Sequence, residues 1–278
     1  MRYKHTFVIC AYGDSPYLLD CIRSLKRQRE HSILKLTTST PSPYLDGICS
    51  EYGIEYHVRD GEPSIGDDWN EALSLAETEY VTIAHQDDIY EPYYTSYVLD
   101  RARQSEKITG EKPLIIFTDY SELVDGVKYD DRRNLQIKRM LLQPLWRAGA
   151  QARIRAKRTA IRLGNAISCP TVTYHIDYIR GLLMSVGRED LFLTHFRSNL
   201  DWEAWEWLSK CPGAFVYVRK VLVAHRIHEG SETTAMIEEN RRIEEDLEMF
   251  RKFWPEPIAR LISESYKKSE ETNKIKGK

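Results

Sequence analysis

The segment YVTIAHQDDIYEP, residues Tyr80–Pro92, is the stretch from which the fold of this chain is best inferred. It begins with the small, aromatic and β-branched residues typical of a buried strand. It then delivers two adjacent carboxylates, Asp87 and Asp88, and ends at a proline. Because ligands of parallel α/β sheets bind outside the carboxyl ends of the strands, this pattern predicts a functional site where the strand ends.

Short apolar strands alternate with amphipathic helices on both sides of this segment. Further strands are predicted over residues 6–11, 32–36, 54–58 and 113–120, and helices after Pro16, over 66–77 and over 92–105. Asp125-Gly126 predicts a hairpin turn. The alternation predicts an α/β fold with parallel strands and right-handed crossovers. The loops at Tyr12 and Thr38 should therefore meet Asp87 at one crevice.

Composition limits the classes of protein to consider. The 278 residues are 42% hydrophobic, which is enough for one large α/β domain with an appendage. The net charge of −2 provides no overall basic field for nucleic acid. The five cysteines form no C-x-x-C motif, so neither a disulfide framework nor a thiolate zinc site is expected. Without a signal peptide or a spanning apolar run, the sequence favours a cytoplasmic protein, with peripheral contact at the inner face of the membrane left open.

The adjacent carboxylates Asp87 and Asp88 have two interpretations. Like charges held side by side in a loop are stabilised by a hard divalent cation, and Mg²⁺ or Mn²⁺ takes oxygen ligands and bridges to substrate phosphates. Alternatively, the pair caps the following helix, where negative charge is favourable. The spacing alone leaves both interpretations open.

Several segments in order resemble family 2 glycosyltransferases of the GT-A fold. They are VICAYGDSPYLLDCIRSLKRQ, IGDDWNEALSLAETEY, the segment quoted above, GNAISCPTVTY, SNLDWEAWEWLSK and HRIHEGSETT, and they cover roughly residues 5–235. The resemblance implies a Rossmann-like, mostly parallel sheet flanked by helices, with a helical C-terminal extension. Residues 1–131 would form the nucleotide-sugar-binding half, 132–163 a basic helical insertion, 164–235 the acceptor-side half, and 236–278 the C-terminal helical extension and tail.

The resemblance also implies an activity. It is the inverting, metal-dependent transfer of a sugar from a nucleotide-diphosphate donor, with a UDP-sugar favoured, to a saccharide or lipid-linked acceptor in cell-surface polysaccharide synthesis. Asp87 would contact Mg²⁺ or Mn²⁺ with Asp88 beside it, and Asp201 would be the general base. One carboxylate suffices, because inverting transfer is a single displacement. Glu203 is the alternative base.

The resemblance assigns further contacts to named positions. Donor-binding residues would be Ala11, Tyr12, Thr38, Asn70, Gln86, Asp87 and Arg226. His228 would add a metal ligand, because in this family its segment closes over the diphosphate. From the residues alone, a histidine pair at the spacing of His225 and His228 is more typical of a local hydrogen-bonding loop than of a ligand set.

Some positions depart from the family pattern. His85 stands where the family has the first aspartate of its metal motif. Thr37, Thr38 and Ser39 replace carboxylates that often contact the base, and Trp69 replaces an arginine. Two alternatives therefore stay open. One is a non-catalytic sugar-nucleotide-binding or scaffold subunit, which His85 favours. The other is a sugar nucleotidyltransferase, which the absence of a glycine-rich phosphate loop disfavours.

Residues Arg132–Arg162 form the most basic part of the chain, with ten Lys or Arg and no Asp or Glu. A helical stretch broken at Pro144 is predicted here. It can be a solvated helix face, a nucleic-acid-binding surface or a platform for anionic lipid headgroups and acceptor phosphates. Few aromatic residues are interleaved, which disfavours nucleic acid.

Overall fold

A computed structural model describes residues 3–228 and 241–265. Within these residues, nine strands form one sheet in the order β3-β2-β1-β4-β8-β6-β9-β5, with β7 paired to β6. The strands are β1 His5–Ala11, β2 Ile33–Thr38, β3 Glu55–Val58, β4 Tyr80–His85, β5 Ile89–Tyr90, β6 Pro113–Val124, β7 Val127–Tyr129, β8 Val172–His175 and β9 Ala214–Arg226.

Helices flank this sheet. They are α1 Leu18–Lys26, α2 Pro43–Tyr52, α3 Ile65–Ser74, α4 Tyr94–Thr109, α5 Arg133–Leu141, α6 Ile154–Ile161, α7 Ile176–Ser185, α8 Leu200–Lys210 and α9 Arg241–Arg251. Residues 256–265 are also helical. Ser42 and Ser64 begin α2 and α3 as N-caps, since their hydroxyls accept backbone N–H groups in the first turn. In the described residues no helix combines the length and apolar character that crossing a bilayer requires.

The sheet is mixed, with a parallel half that positions the site. Strands β3, β2, β1 and β4 are parallel, whereas β8 runs antiparallel between β4 and β6. Cys10 at the end of β1 lies in register with His85 at the end of β4. The loops after these two strands are therefore neighbours, as the alternation of strands and helices predicts.

Alternate residues along the central strands enter two apolar cores. In β1, Val8 belongs to the core that also contains Trp202 and Trp205, and Phe7 and Ile9 belong to the core on the other face. Both tryptophans are buried, which confirms that α8 packs against the sheet. Burial of both sheet faces explains why these strands are almost continuously apolar.

Local boundaries differ from the sequence prediction in a few places. Helix α1 begins at Leu18 rather than near Pro16, because the Ser15 hydroxyl accepts the Tyr17 N–H and forms a separate turn. The basic segment is helical and broken at Pro144, where a 3-10 turn covers Gln143–Leu145. It packs on the main domain: the Trp202 indole donates to the Ile161 carbonyl at 2.9 Å.

The predicted domain boundaries stay a prediction, since one sheet joins the halves on either side of the basic segment. Part of the predicted C-terminal extension is described as α9, where Phe250 packs edge-on against Trp202 with ring centroids 5.1 Å apart. The end of the HRIHEGSETT segment, residues 229–234, and the tail from 266 onward lie outside the described residues.

Candidate active site

A cavity of about 560 Å³ opens at the carboxyl ends of β1 and β4. This volume is within the range of small-molecule and cofactor sites. Its lining comes from six parts of the chain: 10–12, 63–69, 85–87, 168–170, 197–201 and the end of β9 with His225 and His228. The crevice predicted from the strand order is therefore present.

Asp87 and His228 form a pair on the wall of this cavity. The His228 Nε2 atom lies 2.9 Å from Asp87 Oδ2, and both side chains are about one-fifth exposed. In the described residues no group of three or more His, Cys, Asp or Glu side chains is arranged to hold a metal ion. Two protein ligands are nevertheless compatible with Mg²⁺ or Mn²⁺, because such ions commonly take their other ligands from substrate phosphates and water.

Asp88 has a different position from the one predicted. Its side chain is fully buried and does not line the cavity. It accepts hydrogen bonds from His225 Nδ1 at 3.0 Å and from the Arg226 N–H at 2.9 Å. The predicted metal contact at Asp88 conflicts with this geometry, since its carboxylate is committed to holding the end of β9 beside the Asp87 turn.

The Asp88 carboxylate also determines the charge of His225, which does line the cavity. Burial lowers the pKa of His225, but the charge and hydrogen bond of Asp88 outweigh burial and raise the pKa above its ordinary value. The pair therefore favours the protonated form of the His225 imidazole at the cavity wall.

Asp201 lies in the first turn of α8 and faces the same cavity as Asp87. Burial raises the pKa of Asp201, and hydrogen bonds from Asn165 and the Trp202 N–H offset this only in part. A carboxylate with a raised pKa accepts a proton more readily than an exposed one. Glu203, the alternative base, is buried in an ion pair with Arg188 at 2.7 Å and does not line the cavity.

Gln86 joins the two strand ends that frame the cavity. Its amide accepts the Tyr12 N–H at 3.2 Å and donates to the Tyr12 carbonyl at 2.9 Å. Ala11, Tyr12 and Gln86, all predicted to bind the donor, line the cavity together. Tyr12 is 59% exposed, so its ring is accessible from solvent.

Three other predicted donor contacts lie outside the cavity lining. The Thr38 hydroxyl is buried against Thr40, and the Asn70 amide exchanges two hydrogen bonds with the backbone of Phe192. Arg226 stacks over the Tyr17 ring at 4.2 Å and donates to the Asp87 carbonyl at 3.0 Å. All three position neighbouring loops, so direct donor contacts by these side chains conflict with the geometry.

The sequence interpretation missed Asp68, which lines the cavity. Its two oxygens accept hydrogen bonds from Arg59 Nε at 2.7 Å and the Ser39 hydroxyl at 3.1 Å. Ser39 follows β2, where the related family has a carboxylate. The signal that could have found Asp68 is the second aspartate of GDDW, one residue before Trp69 in α3.

Trp69 and His85 lie stacked beside Asp68, with ring centroids 5.5 Å apart and planes inclined by 27°. The His85 Nε2 atom is buried without a hydrogen-bond partner. Burial lowers the pKa of His85, so its ring is neutral. The departures from the family pattern at these two positions therefore produce one stacked aromatic wall.

Among the described residues, Arg197 is the only lysine or arginine in the cavity lining. It was also missed, because nothing in its sequence context distinguishes it from other surface arginines. It lies four residues before Asp201. An anionic group in the cavity would therefore meet the exposed Arg197 guanidinium on the side of the predicted base.

Comparison with known proteins bears on the fold that carries this site. The sequence model described as glycosyl transferase family 2 matches residues 6–138. No protein with a curated description matches the chain. The crystal structure of S. aureus TarS 1–349 in complex with UDP-GlcNAc has a similar fold, with a TM-score of 0.60 and 15% identity over 94% of this chain and 70% of that chain. The same fragment without a named ligand gives a TM-score of 0.57 and 14% identity, over 94% of this chain and 69% of that one.

Another crystal structure of S. aureus TarS, which has a longer chain, is similar over a smaller share of its length. The TM-score is 0.56 at 12% identity, covering 93% of this chain and 42% of that chain. This chain therefore spans less than half of that relative. The comparisons confirm the GT-A fold predicted from the sequence.

Proposed function

We propose that this chain, whose residues 6–138 match the sequence model of glycosyl transferase family 2, is a glycosyltransferase that performs inverting transfer from a UDP-sugar to a saccharide or lipid-linked acceptor. One observation carries the proposal. Asp87 beside His228, and Asp201 with its raised pKa, line the same cavity although they come from distant parts of the chain. The arrangement supplies a site for a diphosphate and a base for an acceptor hydroxyl.

The nucleoside would lie against Tyr12, Asp68 and Trp69. Aromatic side chains such as Trp69 can stack on a nucleobase. The Asp68 carboxylate, which Arg59 and Ser39 hold in place, can accept the imide N–H of uracil. Crystal structures of the TarS fragment are known in complex with UDP-GlcNAc and in complex with UDP. This similarity of fold supports a uridine diphosphate donor for this chain.

Asp87 and His228 would hold Mg²⁺ or Mn²⁺. When bound, the cation would offset the charge that develops on the diphosphate leaving group. Asp87 would supply the oxygen ligand such ions prefer, and His228 the second ligand. Asp88 would keep this pair in place through His225 and the backbone of Arg226.

Asp201 would act on the acceptor. It removes the proton from the acceptor hydroxyl while that oxygen bonds to the anomeric carbon, and the bond from this carbon to the diphosphate oxygen breaks. The proton ends on Asp201 and the electron pair on the departing diphosphate. One displacement inverts the anomeric configuration, so one base suffices.

The proposal extends to the class of acceptor and to the location of the protein in the cell. Exposed cations of the 132–163 segment favour an anionic, membrane-associated acceptor at the inner face of the membrane, as in cell-surface polysaccharide synthesis. Several of its cations are already paired inside the protein. Arg158 bonds to Glu206 at 2.6 Å, and the fully buried Lys157 donates to the carbonyls of Cys211 and Gly213.

The direct test is incubation with Mn²⁺ and a panel of nucleotide sugars, scoring released nucleotide diphosphate. We expect UDP release from at least one UDP-sugar, loss of release in Asp87→Ala, and a strong decrease in Asp201→Asn. Release of a sugar 1-phosphate or pyrophosphate would indicate a nucleotidyltransferase. Binding of UDP without turnover for any sugar, with acceptor fractions added, would indicate a non-catalytic subunit.

A further inference from the structure

Helix α9 holds the turn that leads into helix α8, which carries Asp201. The Glu245 carboxylate accepts the backbone N–H groups of Arg197, Ser198 and Asn199 at 2.9, 2.8 and 3.1 Å. The neighbouring Asp246 accepts a hydrogen bond from Asn199 Nδ2 at 2.8 Å. These contacts join residues more than forty positions apart in the sequence.

We propose that Glu245 is a positioning residue for the base, acting through the Arg197–Asn199 turn. The first N–H groups of a helix have no partner within the helix and are usually satisfied by the side chain of the N-cap residue. Asn199, the N-cap of α8, makes no such bond with its own side chain. Glu245 of α9 instead bonds to the three backbone N–H groups that immediately precede the first turn of α8.

The proposal rests on the proposed function, because it assigns a task to the base Asp201. Asp201 is two residues from Asn199, and the turn also carries the cavity cation Arg197. The three bonds from Glu245 therefore fix the backbone that carries Arg197 and that leads directly into the first turn of α8, where Asp201 lies. Charge-assisted bonds of this kind are short and directional, which suits the positioning of a reacting group.

The burial of Glu245 and Asp246 indicates that their carboxylates hold a defined structure in place. Glu245 is 7% exposed and Asp246 is 5% exposed, and buried acidic groups are retained only where they are well bonded. Helix α9 is itself fixed by Phe250, which packs against Trp202 of α8. The C-terminal extension is thus part of the acceptor half of the site, and the turn before Asp201 depends on it.

The test compares Glu245→Gln with Glu244→Gln in the full chain. Glu244 precedes Glu245 on α9 and is exposed, so it is a matched control. Loss of charge and of acceptor capacity at 245 should lower kcat for transfer at least ~10-fold, because small displacements of a reacting group are costly. The dissociation constant of UDP and the KM for the donor should stay within about twofold of wild type. Glu244→Gln should match wild type throughout.

A double-mutant cycle with Asp201→Asn separates positioning from simple stabilisation. If Glu245 acts through the base, Glu245→Gln should cost little further kcat when Asp201 is already Asn. An equal loss in both backgrounds, or wild-type kcat in Glu245→Gln, would overturn the proposal. Should Glu245→Gln not fold, Glu245→Asp, which keeps the charge but shortens the side chain by one methylene, takes its place in the cycle.

These outcomes are distinct from failure of the proposed function. If wild type releases no nucleotide diphosphate, or if Asp201→Asn keeps full kcat, the assignment of the base fails before Glu245 is considered. If Asp201→Asn is impaired and Glu245→Gln is not, only the positioning role is wrong.

Discussion

Asp87 and His228 are 141 positions apart in the sequence, yet His228 Nε2 lies 2.9 Å from Asp87 Oδ2 at the wall of the cavity. The contact forms because β4 and β9 end near each other and β5, which follows Asp88, pairs with β9. A carboxylate and an imidazole at this distance attract each other, and they can also bind one cation together. If Asp87 and His228 only attract each other, UDP binding should not depend on metal, whereas joint binding of a cation should make it metal-dependent.

Removing metal should weaken nucleotide binding. We expect the affinity for UDP to fall at least ~10-fold when Mn²⁺ is replaced by EDTA, since the diphosphate charge then lacks its counter-ion. Asp87→Ala and His228→Ala should each remove most of this metal dependence. Titration calorimetry measures the affinity for UDP with Mn²⁺ and with EDTA. His57→Ala is a control, because His57 pairs with Glu55 on β3. Equal UDP affinity with and without metal would refute the metal role.

Loss of the base should affect the chemical step. Asp201→Asn is expected to lower kcat at least ~10²-fold, in line with general-base contributions. The dissociation constant of UDP should change little, because Asp201 acts on the acceptor. Glu203→Gln should behave oppositely, with a lower melting temperature from the broken Arg188 pair and a kcat near wild type. Steady-state kinetics and thermal melts distinguish the two variants. A near-normal kcat in Asp201→Asn would exclude Asp201 as the general base.

The pH dependence of kcat should report Asp201. Burial raises the pKa of Asp201, and the base works only when ionised. Activity should therefore be full above this raised pKa and fall about tenfold per pH unit below it, with a midpoint above the usual aspartate value of about 3.9. A kcat measured from pH 4 to 8 at saturating substrate tests this. A profile flat down to pH 4 in wild type would contradict it.

Much of the fold was predictable because its determinants are local. The strand over Tyr80–His85 and the adjacency of the β1 and β4 loops follow from hydrophobic patterns and the rules of parallel sheets. The antiparallel position of β8 between β4 and β6 was not predictable in this way. It depends on pairing of β8 with β4, roughly ninety positions away, and with β6, somewhat under sixty positions away, which no local pattern specifies.

The site was predictable in part. Asp87, Gln86 and Asp201 were found through the family pattern and line the cavity. Thr38 and Asn70 were assigned to the donor from position alone, but their hydrogen bonds go to neighbouring loops. Side-chain direction decides this, and it depends on tertiary partners that the sequence does not display.

Asp68 should determine which nucleobase the donor site prefers. Its carboxylate, held by Arg59 and Ser39, can accept the N–H of uracil but repels the unprotonated ring nitrogen of cytosine. We expect Asp68→Asn to weaken UDP binding about tenfold and to reduce the preference for UDP over CDP, because an amide can donate or accept. Competition binding with both nucleotides measures this. Asp67→Asn is the matched control, since Asp67 does not line the cavity. An unchanged preference would exclude this role.

The last prediction concerns the basic segment 132–163, where burial separates two kinds of cation. Lys157 and Arg158 are committed to partners inside the protein, so reversing them would disturb folding. Arg147, Arg153 and Arg155 are exposed. Only such exposed cations can contact lipid headgroups or acceptor phosphates.

Reversing Arg147, Arg153 and Arg155 to Glu should therefore release the protein from anionic membranes. Each exposed cation near an anionic surface contributes about 1 kcal/mol, so three reversals should reduce binding to phosphatidylglycerol vesicles by at least ~10²-fold. Salt should weaken the wild-type interaction in the same assay, because exposed charges are screened over about 10 Å at 0.1 M. Reversal of Arg101, Arg103 and Lys107, exposed on α4, is the control for net charge. Hydrolysis of the donor without acceptor should survive in both variants. Equal flotation of both variants with the vesicles would leave the segment as a solvated helix face.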